Sequence, residues 1–137
     1  MKTSYVKRIL GYTVIELMIV LIIVALLLAL AYPSYTQYVR KARRGDAQQM
    51  LLNWSINQEI WRSNHTAYAL AADIPVPVDP DGYYAFPDPD PTITATTYTL
   101  TANAQNDQTK DKSRDGTPCT SLTLNQNGVK EPAVCWD

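Results

Sequence analysis

The chain has 137 residues, a net charge of −1 and two cysteines, which is enough for one domain plus a membrane segment. From Gly45 onward twelve acids stand against five bases, a balance that argues against a generic nucleic-acid-binding domain with a net basic face. With one histidine (His65) in a polar turn, no phosphate loop and no metal-ligand spacing, the sequence offers no catalytic constellation and calls for no cofactor.

Residues 1–11 form a short basic leader with Lys2, Lys7 and Arg8 and no acid. Tyr12 to Tyr32 is then a run of 21 mainly apolar residues, about 31 Å as a helix and long enough to span a bilayer core. Glu16 is the one charge between Arg8 and Arg40. A carboxylate in hydrocarbon costs roughly 2.5–3.5 kcal/mol, so it needs a partner or a purpose; the bland alternative is an acid that snorkels to the nearby interface. A cleaved secretory signal ending at Ala29-Leu30-Ala31 is the competing reading of this run. The acid and the length count against it, because cleaved apolar regions are usually about 7–15 residues long. Counting charges does not settle orientation, since three leader bases compete with Arg40, Lys41, Arg43 and Arg44 beyond the run.

Pro33 predicts a kink or a locally melted turn. Past it, residues 34–64 read as an amphipathic helix, with Ala47, Met50, Leu51, Trp54 and Trp61 on one stripe. The two tryptophans are expected to anchor a core, and Ser63-Asn64 begins the exit. The bases at 40–44 are expected to meet lipid phosphates or acidic neighbours.

Residues 65–95 form a Pro/Asp-rich connector whose prolines exclude a helix. Asp73, Asp79, Asp81, Asp88 and Asp90 lack the spacing of a calcium loop and read as solvated turns. Tyr83 to Phe86 looks like a short strand. Thr96–Ala102 alternates, with Tyr98, Leu100 and Ala102 on one face; Thr120–Asn125 repeats the pattern, and Asn127-Gly128 signals a hairpin. Between these strands Lys110, Lys112 and Arg114 alternate with Asp107, Asp111 and Asp115, as in a solvated loop of balanced charge. The fold class is α+β: a long N-terminal helix packed on a small antiparallel sheet over 96–137. Cys119 and Cys135 behind an export-type N-terminus read as one disulfide, with two buried thiols as the alternative.

The order basic leader, Gly11, an aromatic, Thr13 and Glu16 resembles the N-terminus of type IV prepilins. Tyr12 stands where that family usually has Phe, and Val14 where it often has Leu. Tyr83-Tyr84, Tyr98 to Ala102, Cys119, Leu122 to Gly128 and Cys135-Trp136 are similar to PilE-type minor pilins, from which the proline-rich insert departs. The resemblance implies that a prepilin peptidase cuts between Gly11 and Tyr12 and methylates the new amine. It also implies that Glu16 pairs with a Tyr12 amine during assembly, and that the helix loosens near Pro33. The implied partners are other pilin subunits, the peptidase, the inner-membrane assembly platform and, before assembly, the lipid bilayer. The head would be periplasmic and then exposed on an extracellular pilus serving adhesion, twitching motility or DNA uptake. Two other readings remain. One is a competence pilin that binds nucleic acid through Lys110, Lys112, Arg114 and Lys130, and the other is a type II secretion pseudopilin.

Overall fold

The computed structural model describes residues 12–136, so Gly11 and the leader lie outside the described residues. The chain divides at Thr36 into two compact units. Helix α1 (Val14–Arg62) contributes to both.

In the first unit every residue from Tyr12 to Tyr35 is exposed, and the helix is long and apolar enough to cross a membrane. A bare apolar surface of this extent calls for lipid or neighbouring protein around it. Its start is set locally. The Thr13 hydroxyl oxygen accepts the Glu16 N–H at 3.2 Å, and the Thr13 carbonyl accepts that of Leu17. Thr13-x-x-Glu16 thus has the spacing of a capping box, with threonine at the N-cap and glutamate at N3. Of the kink or locally melted turn expected at Pro33, the melted turn does not occur, because α1 runs through it unbroken. Proline frees one carbonyl, that of Ala29, but the leucines and alanines before it are strong helix formers that hold the preceding turns.

In the second unit four strands form a sheet in the order β1 (Tyr84–Ala85), β2 (Thr99–Ala104), β3 (Ser121–Asn125), β4 (Lys130–Glu131), each antiparallel to the next. The edge strands β1 and β4 are two residues long. Leu100 faces Leu124 and Ala102 faces Leu122; these four are buried, while Thr101, Thr123, Asn103 and Ser121 alternate to the more open face. β2 begins later and runs further than its sequence pattern suggests, and the strand expected over Tyr83–Phe86 shrinks to two residues. At the hairpin after β3 the Gly128 N–H donates to the Asn125 carbonyl, and Gly128 takes a φ of 73° that favours glycine.

The helix buries Arg44, Ala47, Leu51, Trp54 and Gln58. Steps of three and four residues put these on one stripe, and its apolar members pack with Tyr84, Tyr98, Leu100, Leu122, Leu124 and both cysteines. Trp54 meets Phe86 edge-on, with centroids 6.4 Å apart. Trp61 departs from expectation: it is half-buried and stacks on His65 at 3.8 Å instead of anchoring the core. The helix ends one residue later, so the stripe is last used at Gln58. There the amide donates to the Ala69 carbonyl (2.9 Å) and accepts the Ala69 N–H (2.8 Å), pairing a buried backbone unit that no strand reaches. Two connector acids are also not merely solvated. Asp79 accepts the N–H groups of Tyr83 and Tyr84, both at 2.8 Å, which sets the entry into β1, and Asp90 accepts that of Ala71 at 2.8 Å.

Candidate functional site: the exposed apolar helix and a tied loop

Two features stand out, one in each unit. The first is Glu16, the lone carboxylate on the exposed apolar helix, four residues from Tyr12, which is itself 79% exposed. Its backbone completes the Thr13 cap while its carboxylate has no protein partner among the described residues. A helix N-terminus favours a negative charge, so part of what places an acid here is local. The sequence reading missed this, although the Thr-x-x-Glu spacing was there to be read.

The second feature is the loop from Asn106 to Cys119. It opens with a 3-10 turn, Asn106–Lys110. Inside the turn Gln108 is fully buried and donates to the Arg40 carbonyl at 2.9 Å and to the Tyr84 hydroxyl at 3.2 Å. Next comes Asp111, which accepts from the Arg44 guanidinium at 2.7 Å, with both side chains almost inaccessible to solvent. Burial pushes the Asp111 carboxyl above its ordinary value, and the charge and hydrogen bond of Arg44 oppose that rise. Asp107 at the surface accepts from Arg40 at 2.8 Å and lies 3.0 Å from Lys110; hydrogen bonds from these two hold its carboxyl below the ordinary range.

The rest of the loop folds back on itself. Lys112 bridges Pro118, the Ser113 N–H donates to Thr117, and the Cys119 N–H donates to the Asp111 carbonyl at 3.0 Å. Asp115 accepts the Ser113 hydroxyl and the Thr117 N–H, which keeps its carboxyl low. Cys119 and Cys135 form a disulfide, and the Gln48 amide donates to the Cys135 carbonyl at 2.6 Å. The neck of the loop is therefore tied to α1 by Gln108, Asp111 and the disulfide together.

This geometry corrects two sequence expectations. The bases at 40–44 are largely absorbed by the protein itself: Arg40 and Arg44 pair with the loop, and Arg43 lies 3.5 Å from the centre of the Tyr83 ring. The loop is also not simply solvated, because its middle acid is buried. Arg44 sits on the apolar stripe of α1, and a charge on that stripe was the sequence signal for a buried pair. Of the four bases considered for nucleic acid, Lys110, Lys112 and Arg114 share this loop and Lys130 lies on β4, 5.1 Å from the Trp136 ring. Among the described residues Lys112 and Arg114 are exposed with no acidic partner.

The family described as "Type IV minor pilin ComP, DNA uptake sequence receptor" matches residues 33–123, and the prokaryotic N-terminal methylation motif matches residues 6–32. A fimbrial protein of Neisseria meningitidis (serogroup A, serotype 4A) is 33% identical over 73 residues, or 48% of this chain and 43% of that protein. The type IV major pilin protein PilE of Neisseria gonorrhoeae is 33% identical over 69 residues, covering 45% and 41%. The matched segments thus span less than half the length of these curated relatives. A solved type IV pilin from Shewanella oneidensis shares 29% identity with a TM-score of 0.54, over 72% of this chain and 98% of that one.

Proposed function

This chain belongs to the type IV minor pilin ComP family, and we propose that it is a structural, non-catalytic subunit of a type IV pilus. One observation carries this most directly: a membrane-length apolar segment that is exposed from Tyr12 to Tyr35, overlaps a methylation motif at residues 6–32, and bears one carboxylate near its start. Such a helix is suited first to the inner membrane and then to a filament interior. Cleavage after Gly11 by a prepilin peptidase would leave Tyr12 with a free amine. In a low-dielectric bundle that amine and the Glu16 carboxylate of a neighbouring subunit offset each other's burial and fix axial register. The head is then periplasmic before an assembly platform draws the subunit into the pilus.

Glu16→Gln is the informative substitution, because glutamine keeps a good capping-box residue while removing the charge. Sheared pili are analysed by mass spectrometry, and membranes from the same cells are blotted for the subunit. The variant is expected to stay in the membrane and be lost from pili. Wild-type incorporation of the variant would sink the docking role.

A second reading is contact with DNA. The family description names a DNA uptake sequence receptor, and Lys112 and Arg114 are exposed cations on a tied loop. Phosphate contacts of this kind release counterions, so binding falls as salt rises. Full-length protein in detergent that shows no salt-sensitive binding to duplex DNA removes this reading.

A further inference from the structure

Two exposed cations do not by themselves make a phosphate site. Phosphates along a duplex are regularly spaced, and a loop that must be ordered on binding loses affinity to that ordering. The acids of the Asn106–Cys119 loop recur at 107, 111 and 115, between and beside the bases at 110, 112 and 114. Two of the acids are paired with cations, Asp107 with Arg40 and Lys110 and Asp111 with Arg44, while Asp115 accepts from Ser113 and Thr117 and stays an exposed anion beside Arg114. The bases at 112 and 114 are left to solvent. Only one of these ties is buried, the Arg44–Asp111 pair. It sits at the neck, where the Asp111 carbonyl also takes the Cys119 N–H that closes the loop.

A buried ion pair is seldom a gain in stability over apolar residues of similar size. Its directional bond does fix where two backbone segments meet, here residue 44 of α1 and residue 111 of the loop. We propose that Arg44 and Asp111 are positioning residues for DNA contact: their buried pair sets the neck of the loop so that Lys112 and Arg114 meet phosphates already in place. The proposal rests on the DNA reading given above.

The sign of one substitution separates this role from simple electrostatics. Asp111→Asn removes a negative charge next to Lys112. Charge counting alone therefore predicts tighter DNA binding, whereas loss of positioning predicts weaker binding. Full-length protein in detergent is titrated into fluorescein-labelled duplex DNA, read by anisotropy at two salt concentrations, with the near-ultraviolet dichroism of the head recorded alongside. Asp111→Asn is expected to weaken binding by about tenfold, the scale of re-ordering two long side chains. Asp107→Asn, which removes a charge and breaks only the outer ties to Arg40 and Lys110 while the buried pair stays, is expected to tighten it. The salt slope of Asp111→Asn is expected to fall by about 1 for each phosphate that the loop no longer neutralises, a change that a purely structural role does not produce.

Where Asp111→Asn leaves Arg44 unpaired and the head fails to fold, the double variant Arg44→Met/Asp111→Leu decides, since no buried charge is stranded. It is expected to fold and still bind more weakly than wild type. Wild-type affinity and salt slope in the folded single or double variant overturn the positioning role. Absence of salt-sensitive binding in the wild type overturns the DNA reading itself, a result distinguishable from variants that match a binding wild type.

Discussion

Replacing Cys119 and Cys135 with alanine tests whether the chain end is held by the crosslink or by packing. The disulfide spans a sequence separation of 16 residues, and in the chain-entropy model a loop of that size contributes about 3 kcal/mol by constraining the unfolded chain. Both residues are fully buried, so truncation also removes packing at the edge of the core, which takes the expected loss to roughly 3–5 kcal/mol. Against this, the Gln48 amide still holds the Cys135 carbonyl, and β3 stays paired with β2 across five residue pairs. For a head of this size the loss corresponds to a fall in Tm of roughly 12–40 °C. The assay is thermal melting of the full chain in detergent, followed by near-ultraviolet dichroism, which reports on Trp54 and Tyr98 in the core. The far-ultraviolet signal of the apolar helix serves as an internal control and is expected to persist, with the protein still in its micelle. A loss below about 1 kcal/mol would refute the chain-entropy argument, because residues 119–135 would then be held by their own contacts.

Gln58→Leu fills the same space but strands the Ala69 N–H and carbonyl, which are fully buried; the expected cost is about 2–4 kcal/mol in urea unfolding, and a change within error would show that water reaches Ala69. Burial pushes the hydroxyls of Tyr84 and Tyr98 from 10.0 up to about 12. The folded chain therefore keeps two protons that the unfolded chain has released, and stability is present below pH 10 and lost as pH rises toward 12. Melting across that window is expected to show a steep alkaline loss that the double variant Tyr84→Phe/Tyr98→Phe flattens; an equally steep loss in the variant would assign it to other groups.

The α+β fold class and the strand faces were legible because alternation and helical spacing are local signals. Tyr98, Leu100 and Ala102 could be assigned to one face from period alone, and all three are buried. Contacts across long separations were not legible. Arg44 meets Asp111 and Arg40 meets Asp107, each 67 residues apart, and in sequence both acids look like solvated loop charges. Trp61 misled because hydrophobicity marks a stripe but not where the chain leaves it. Gln58, a polar residue one turn earlier, holds the buried position because its amide pairs with Ala69. Glu16 stood out as an anomaly, yet the Thr13 cap that shares its local explanation is an ordinary helix-start signal.

The sheet ends on both sides in strands of only two residues, β1 and β4. A long open edge offers unpaired N–H and carbonyl groups to any other strand that comes near, and this is how sheets template aggregation. In the filament proposed above, heads of this fold stand close together at high local concentration. With edges this short, neighbouring heads have little backbone with which to zip together. Contacts between them are left to side chains, and an assembly built on side-chain contacts can be taken apart into folded subunits again.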